Sequence, residues 1–170
     1  MAYYILLGGN EGDVDQTMAR ALARLNEVGR VTAVSDIVES EAWGYASALP
    51  FHNAVARLES DIRASDLLTF LKDLERELGR RGKTKAGYED RPIDLDILLW
   101  GQNVVETDTL TIPHPRMHLR RFTLAPLAQI APDAVHPTLR KTVSQLLQEC
   151  EDVGWVRRTG PLRSQGYPAE

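Results

Sequence analysis

Residues 91–100, Arg-Pro-Ile-Asp-Leu-Asp-Ile-Leu-Leu-Trp, alternate apolar and acidic side chains through the first half of the run. On a β-strand this sends Ile93, Leu95 and Ile97 to one face and Asp94 and Asp96 to the other. The chain must therefore build a sheet with one buried face and one face that accepts charge. Carboxylates at i and i+2 on a strand face lie roughly 6–7 Å apart. Without a cation they repel, and partial burial sharpens the repulsion. One Mg²⁺ ion or a pair of them turns the same arrangement into a site. Arg91, three residues before Asp94, adds a permanent donor for phosphate oxygens. An edge strand with a solvated acidic face explains the pattern equally well at this point.

The 170 residues suit one domain with a real core. A net charge of −4 does not advertise nucleic-acid or anionic-membrane binding by the whole surface. The one cysteine, Cys150, excludes an internal disulfide and fits a reducing, cytoplasmic setting. It reads as a small apolar residue near a helix end rather than a nucleophile. Residues 1–9 are apolar but short and lack a basic flank, so they read as a first strand rather than a signal peptide. No apolar run is long enough to cross a bilayer.

Residues 3–7 form a β-rich run that ends in the turn cluster Gly8-Gly9-Asn10. Asp13 or Asp15 can cap a helix striped by Met18, Leu22 and Leu25. Residues 31–38 read as one second strand, 40–50 as a loop and 51–58 as a third strand. Ser65 and Asp66 open a second helix with Leu67, Leu68, Leu71, Leu74 and Leu78 on one face. Residues 80–90 are polar and basic and read as a mobile loop. After the acidic strand come a short β piece at 104–105 and helices expected at 115–121, 122–130 and 143–150. Residues 1–156 are expected to form one domain and 157–170 a frayed, flexible tail. The order strand, helix, strand, strand, helix, strand predicts a ferredoxin-like α+β fold: a βαββαβ antiparallel sheet with a helical, loop-rich C-terminal extension. Two helices are expected on one face, with the other free to carry a site that the C-terminal third can wall.

Chemistry concentrates in four places. The pair Asp94/Asp96 is the first. The basic residues Arg80, Arg81, Lys83, Lys85 and Arg91 are the second; beside a carboxylate pair they resemble a clamp over a polyphosphate. The third is Ile112-Pro113-His114-Pro115-Arg116 followed by Arg120-Arg121-Phe122, where His114 reads as a phosphate donor or as a plain loop histidine. The fourth is Phe51-His52-Asn53 with Trp43 upstream. Asn53 offers donor and acceptor to a heterocyclic amide edge, and Phe51 and Phe122 can sandwich a flat ring or simply pack the core. Gly8-Gly9-Asn10 lacks the Gly-Lys-Ser/Thr of a P-loop.

With these motifs assembled, the chain resembles the 6-hydroxymethyl-7,8-dihydropterin pyrophosphokinases of folate biosynthesis. The resemblance runs from residue 3 to about 150 through Gly8-Gly9-Asn10, Phe51-His52-Asn53-Ala54, Leu78-Gly79-Arg80, the run from Arg91 to Leu98, and Pro113-His114-Pro115-Arg116-Met117. It implies an ATP-dependent transfer of pyrophosphate to the pterin's hydroxymethyl group, with AMP leaving and two Mg²⁺ ions required. It implies that Asp94 and Asp96 hold the metals and that Arg80, Arg91 and Asp96 act in catalysis. ATP is expected against Lys72, Glu75, Arg80, Tyr88, Arg91, Ile97, Thr111, His114 and Arg120. The pterin is expected against Ser40, Trp43, Phe51, Asn53, Asp94 and Phe122. The same resemblance implies no nucleic-acid or membrane partner, and coupling to other enzymes of the folate pathway. The chain departs from the familiar pattern at Lys72 (Gln in many members), Tyr88 (Trp), Asp90 (Pro) and Pro115 (Tyr), and its basic loop is one residue longer. A ferredoxin-like RNA-binding module would instead want aromatics on the central strands and a basic sheet face; Asp94 and Asp96 occupy that place. A catalytically silent regulatory relative is the remaining alternative.

Overall fold

The computed structural model describes residues 1–42, 47–79 and 90–162. The elements are β1 (Ala2–Gly9), α1 (Val14–Leu25), β2 (Arg30–Val34), β3 (Asp36–Ser40), β4 (Phe51–Glu59), α2 (Ala64–Glu77), β5 (Asp94–Trp100), β6 (Val105–Glu106), β7 (Thr111–Ile112), α3 (Arg121–Ile130), α4 (Val143–Glu149) and β8 (Val156–Pro161). The main sheet runs β5-β1-β4-β3-β8, with β2 also beside β4, and every pairing is antiparallel. This is the expected ferredoxin-like order, widened by one strand.

Strand alternation builds two cores. Tyr3, Ile5 and Leu7 of β1 and Leu95 and Ile97 of β5 pack against Met18 and Leu22 of α1 and Leu67, Leu71 and Leu74 of α2. Leu6, Val55 and Leu98 point the other way and meet Leu124 and Leu127 of α3 and Val143 and Leu146 of α4. In line with the wall expected of it, the C-terminal extension thus largely roofs the second face. Its uncovered part is the end where Gly8, Asn53 and Asp94 lie side by side.

Four expectations need correction. Residues 31–38 are two strands rather than one. Val34 pairs with Ala56 and Val38 with Asn53, so the strand carries one extra residue at the break. Buried Ser35 fills the gap: its backbone N–H donates to Val55 O and its Oγ accepts from Val55 N, each at 2.9 Å. The second helix starts at Ala64, capped by the backbone of Arg63, while Asp66 accepts from Arg63 Nε at 3.0 Å. Residues 115–121 form only a 3₁₀ turn at Met117–Leu119, because Arg120 is extended (φ −122°, ψ 110°). Of the frayed tail expected over 157–170, residues 157–161 are instead part of β8, which pairs with β3 from Ser40↔Val156 to Asp36↔Pro161, while 163–170 lie outside the described residues. Ion pairs Arg157–Glu39 and Arg158–Asp36 hold it there. The pairing satisfies backbone groups of β3 that face away from β4, a tertiary demand that the polar composition of the segment does not reveal.

Candidate active site

Gly8 of β1 stands directly between Asn53 of β4 and Asp94 of β5. Adjacent strands lie about 4.8 Å apart, so the outer two backbones are separated by roughly 10 Å with no side chain between them. A Cβ at Gly8 would sit 3.1 Å from Asn53 Oδ1. The missing side chain leaves a floor, and one row deeper Leu6 closes it between Val55 and Asp96.

Above this floor opens a cleft lined by Leu6, Gly8, Ser40, Glu41, Phe51, Asn53, Arg91, Asp94, Asp96, Arg120 and Phe122. Two chemistries meet in it. At one end, Arg91 Nη1 donates to Asp94 Oδ2 at 3.2 Å, and Asp96 follows on the same strand face. Burial pushes the Asp96 carboxyl up to about 7, and the negative charges of Asp94 and Glu75 add to the shift against the opposing pull of Arg120 and Lys72. At the other end, buried Asn53 donates through Nδ2 to Ser40 Oγ (3.0 Å) and to Val38 O (3.4 Å). Phe51 and Phe122 flank it, and the Arg120 guanidinium lies 5.7 Å from the Phe122 ring centroid.

Eight of the residues named from the sequence thus line one cleft: Ser40, Phe51, Asn53, Arg91, Asp94, Asp96, Arg120 and Phe122. Five others lie outside its lining. Ile97 is buried on the opposite sheet face, so only its backbone can serve a ligand. Lys72 and Glu75 sit on α2, where Glu75 Oε1 accepts from Leu95 N at 3.3 Å. Thr111 belongs to β7, and His114 N donates to Leu98 O at 2.9 Å, which brings that segment beside β5. His114 Nδ1 accepts from Arg116 N at 3.1 Å, and burial together with the charge of Arg120 lowers its pKa to about 4. The ring is neutral near pH 7 and donates through Nε2. Trp43, Arg80 and Tyr88 fall outside the described residues, as do Arg81, Lys83 and Lys85.

Two contributors escaped the reading of the sequence. Asn10, 5 % exposed, ties three segments together: its Oδ1 accepts from Arg91 N (2.9 Å), and its Nδ2 donates to Asp90 Oδ1 (2.7 Å) and Leu49 O (3.3 Å). It thereby fixes the backbone that presents Arg91 to Asp94. Glu41 forms part of the lip. Asn10 was visible only as the last residue of a turn cluster; nothing local marks Glu41.

The donor set suits a divalent cation. Asp94 and Asp96 offer hard oxygen atoms on one strand face, and Asp96 carries a charge its surroundings disfavour without a counter-ion. Among the described residues no group of three acidic, histidine or cysteine side chains gathers to enclose a metal. An ion held by two carboxylates keeps positions open for phosphate oxygens and water.

Among the described residues no helix is long and apolar enough to cross a membrane. A family model described as 7,8-dihydro-6-hydroxymethylpterin-pyrophosphokinase (HPPK) matches residues 4–132. A 2-amino-4-hydroxy-6-hydroxymethyldihydropteridine pyrophosphokinase of Porphyromonas gingivalis is 43% identical over 137 residues, 79% of this chain and 92% of the relative. One of the same name from Aquifex aeolicus is 35% identical over 146 residues, 86% of this chain and 90% of the relative. Among solved structures, the Plasmodium falciparum HPPK-DHPS wild type with STZ-DHP superposes with a TM-score of 0.70 at 14% identity, over 87% of this chain. The chain spans 43% of that longer protein, and the likeness speaks for the fold alone. The match of most of the chain to the family model, together with these identities, shows that the chain belongs to the 7,8-dihydro-6-hydroxymethylpterin-pyrophosphokinase family.

Proposed function

We propose that this chain transfers the β,γ-pyrophosphoryl group of ATP to the hydroxymethyl oxygen of 6-hydroxymethyl-7,8-dihydropterin, as a Mg²⁺-dependent step of folate biosynthesis. The observation that carries the proposal is the cleft itself. An acidic and arginine-bearing end is joined, across the bare floor at Gly8, to an amide-and-aromatic end.

The pterin ring lies between Phe51 and Phe122, with Asn53 and Ser40 meeting its amide edge; the family resemblance also assigns Trp43, which lies outside the described residues, to the pterin. The ring points its hydroxymethyl group toward Asp94 and Asp96. ATP lies over the outer side of β5, flanked by Lys72, Glu75, Thr111, His114 and the backbone of Ile97; the family resemblance also assigns Arg80 and Tyr88, which lie outside the described residues, to ATP. Asp94 and Asp96 would hold two Mg²⁺ ions, which when bound supply charge neutralisation at phosphate oxygens and acidify the attacking hydroxyl. One bond forms, between the hydroxymethyl oxygen and the β-phosphorus. One breaks, between the β-phosphorus and the oxygen bridging to the α-phosphorus, which leaves on AMP. The hydroxyl proton passes to a carboxylate oxygen of Asp96. Arg80, Arg91 and Arg120 balance phosphate charge as it shifts, and neutral His114 donates to a phosphate oxygen. The product feeds later folate-pathway enzymes, with which this chain is functionally coupled in a cytoplasmic setting.

The test is ATP consumption with the pterin alcohol. AMP should appear, ADP should not, and a chelator should stop the reaction. ADP formation, or turnover indifferent to chelation, refutes the proposal.

A further inference from the structure

The two walls of the pterin end come from elements far apart in the chain. Ser40 and Glu41 close β3, whereas Arg120 and Phe122 flank the first residue of α3. α3 has no side-chain cap of its own at Arg120, and Ser40 is the last residue of β3. Residues 150–156 run between them.

Asp152 joins the two walls. Its Oδ2 accepts from the backbone N–H of Arg121 at 3.0 Å, capping α3 from outside. Its Oδ1 accepts from Gly154 N at 2.8 Å. Arg121 returns two bonds, Nε to Asp152 O (3.1 Å) and Nη2 to Cys150 O (2.9 Å). Gly154 in turn presses on the opposite lip: a Cβ there would lie 2.8 Å from Glu41 Oε1. Two residues later Val156 pairs with Ser40, the residue that receives the Asn53 amide. Two bonds from one guanidinium to backbone carbonyls of this segment, rather than to a phosphate, mark Arg121 as distinct from its neighbour Arg120. The segment also lies beyond residues 4–132, where the family model matches.

We infer that residues 150–156 form a clasp that sets the spacing of the pterin pocket, with Asp152 and Arg121 as positioning residues. The inference rests on the assignment of that end of the cleft to the pterin. Neither residue touches the reacting atoms. Both fix where Phe122 and Glu41 stand, and through Val156 where Ser40 stands.

The test compares steady-state kinetics of the full chain with those of Asp152→Ala, Gly154→Ala, Arg121→Ala and Arg121→Lys. Asp152→Ala should raise the KM for the pterin about tenfold, with kcat and the KM for ATP within about twofold. Gly154→Ala sets a methyl 2.8 Å from Glu41 Oε1 and 3.0 Å from Asp152 Oδ1, so both flexible carboxylates must shift; it should fold and raise the pterin KM severalfold. Arg121→Lys should recover part of what Arg121→Ala loses. A pterin KM unchanged in both Asp152→Ala and Gly154→Ala overturns the inference, as does an equal rise in the KM for ATP. Amide exchange at Glu41 and Phe122 provides a readout independent of turnover. It should quicken in Asp152→Ala, and unchanged protection there also overturns the clasp. If the wild-type chain makes no AMP, the functional reading fails, and the exchange measurement still decides the clasp.

Discussion

Asp96 stands at a position where function and stability oppose each other, and the opposition can be measured. Its carboxyl is raised from 3.8 to about 7 by burial and by the nearby charges of Asp94 and Glu75. The fold therefore prefers the protonated acid. That preference contributes its full stability at low pH, where the unfolded chain is protonated too, and the contribution is lost as pH rises to about 7. A gap of roughly 3 pH units at ~1.4 kcal/mol each sets a ceiling of about 4 kcal/mol. Asp96 opens into the water of the cleft, so about 2 kcal/mol is the working figure. Asp96→Asn removes the charge and keeps the shape. In urea unfolding with a chelator present, the variant should gain about 2 kcal/mol over wild type near pH 8 and less than half of that near pH 5. Its turnover should vanish, because an amide cannot replace the carboxylate as metal ligand or proton acceptor. A variant no more stable than wild type near pH 8, or equally stabilised at both pH values, refutes the reasoning.

Three further outcomes follow from other parts of the site. Arg91→Ala should lower kcat by about 10²–10³ with a smaller change in pterin affinity, measured by single-turnover kinetics and pterin fluorescence; the reverse ranking contradicts its assigned role. Asn10→Ala loses three side-chain hydrogen bonds and should cost about 2–3 kcal/mol in denaturant unfolding, with reduced kcat because the Arg91 backbone loosens. Chelation should remove turnover and leave the thermal unfolding midpoint unchanged or lowered, since an ion bound between the two carboxylates relieves their repulsion in the folded state and can only stabilise it.

Much of this molecule is legible in local patterns because the physics behind them is local. Period-two alternation separated Asp94 and Asp96 from Ile93, Leu95 and Ile97, and it put Asn53 on the opposite face from Ala54. Helical stripes at Met18, Leu22, Leu67 and Leu71 named the residues that bury one sheet face. Hydroxyl, amide, guanidinium and carboxylate chemistry then limited what the exposed positions can bind. The ferredoxin-like order of elements followed from the same patterns.

Which of those residues share a cleft is a different kind of fact, because it depends on the lateral order of strands. Only the sequence of pairings β5-β1-β4 sets Gly8 between Asp94 and Asn53 and so makes a floor from a missing side chain. Residues 157–161 look like tail by composition and become strand because β3 has an edge to fill. Asp152 and Arg121 are ordinary surface residues until folding brings together segments 31 positions apart. Periodicity and residue type are properties of neighbours along the chain; walls, floors and clasps are made by neighbours across it, and their partners are chosen by burial and backbone hydrogen bonding over the whole fold.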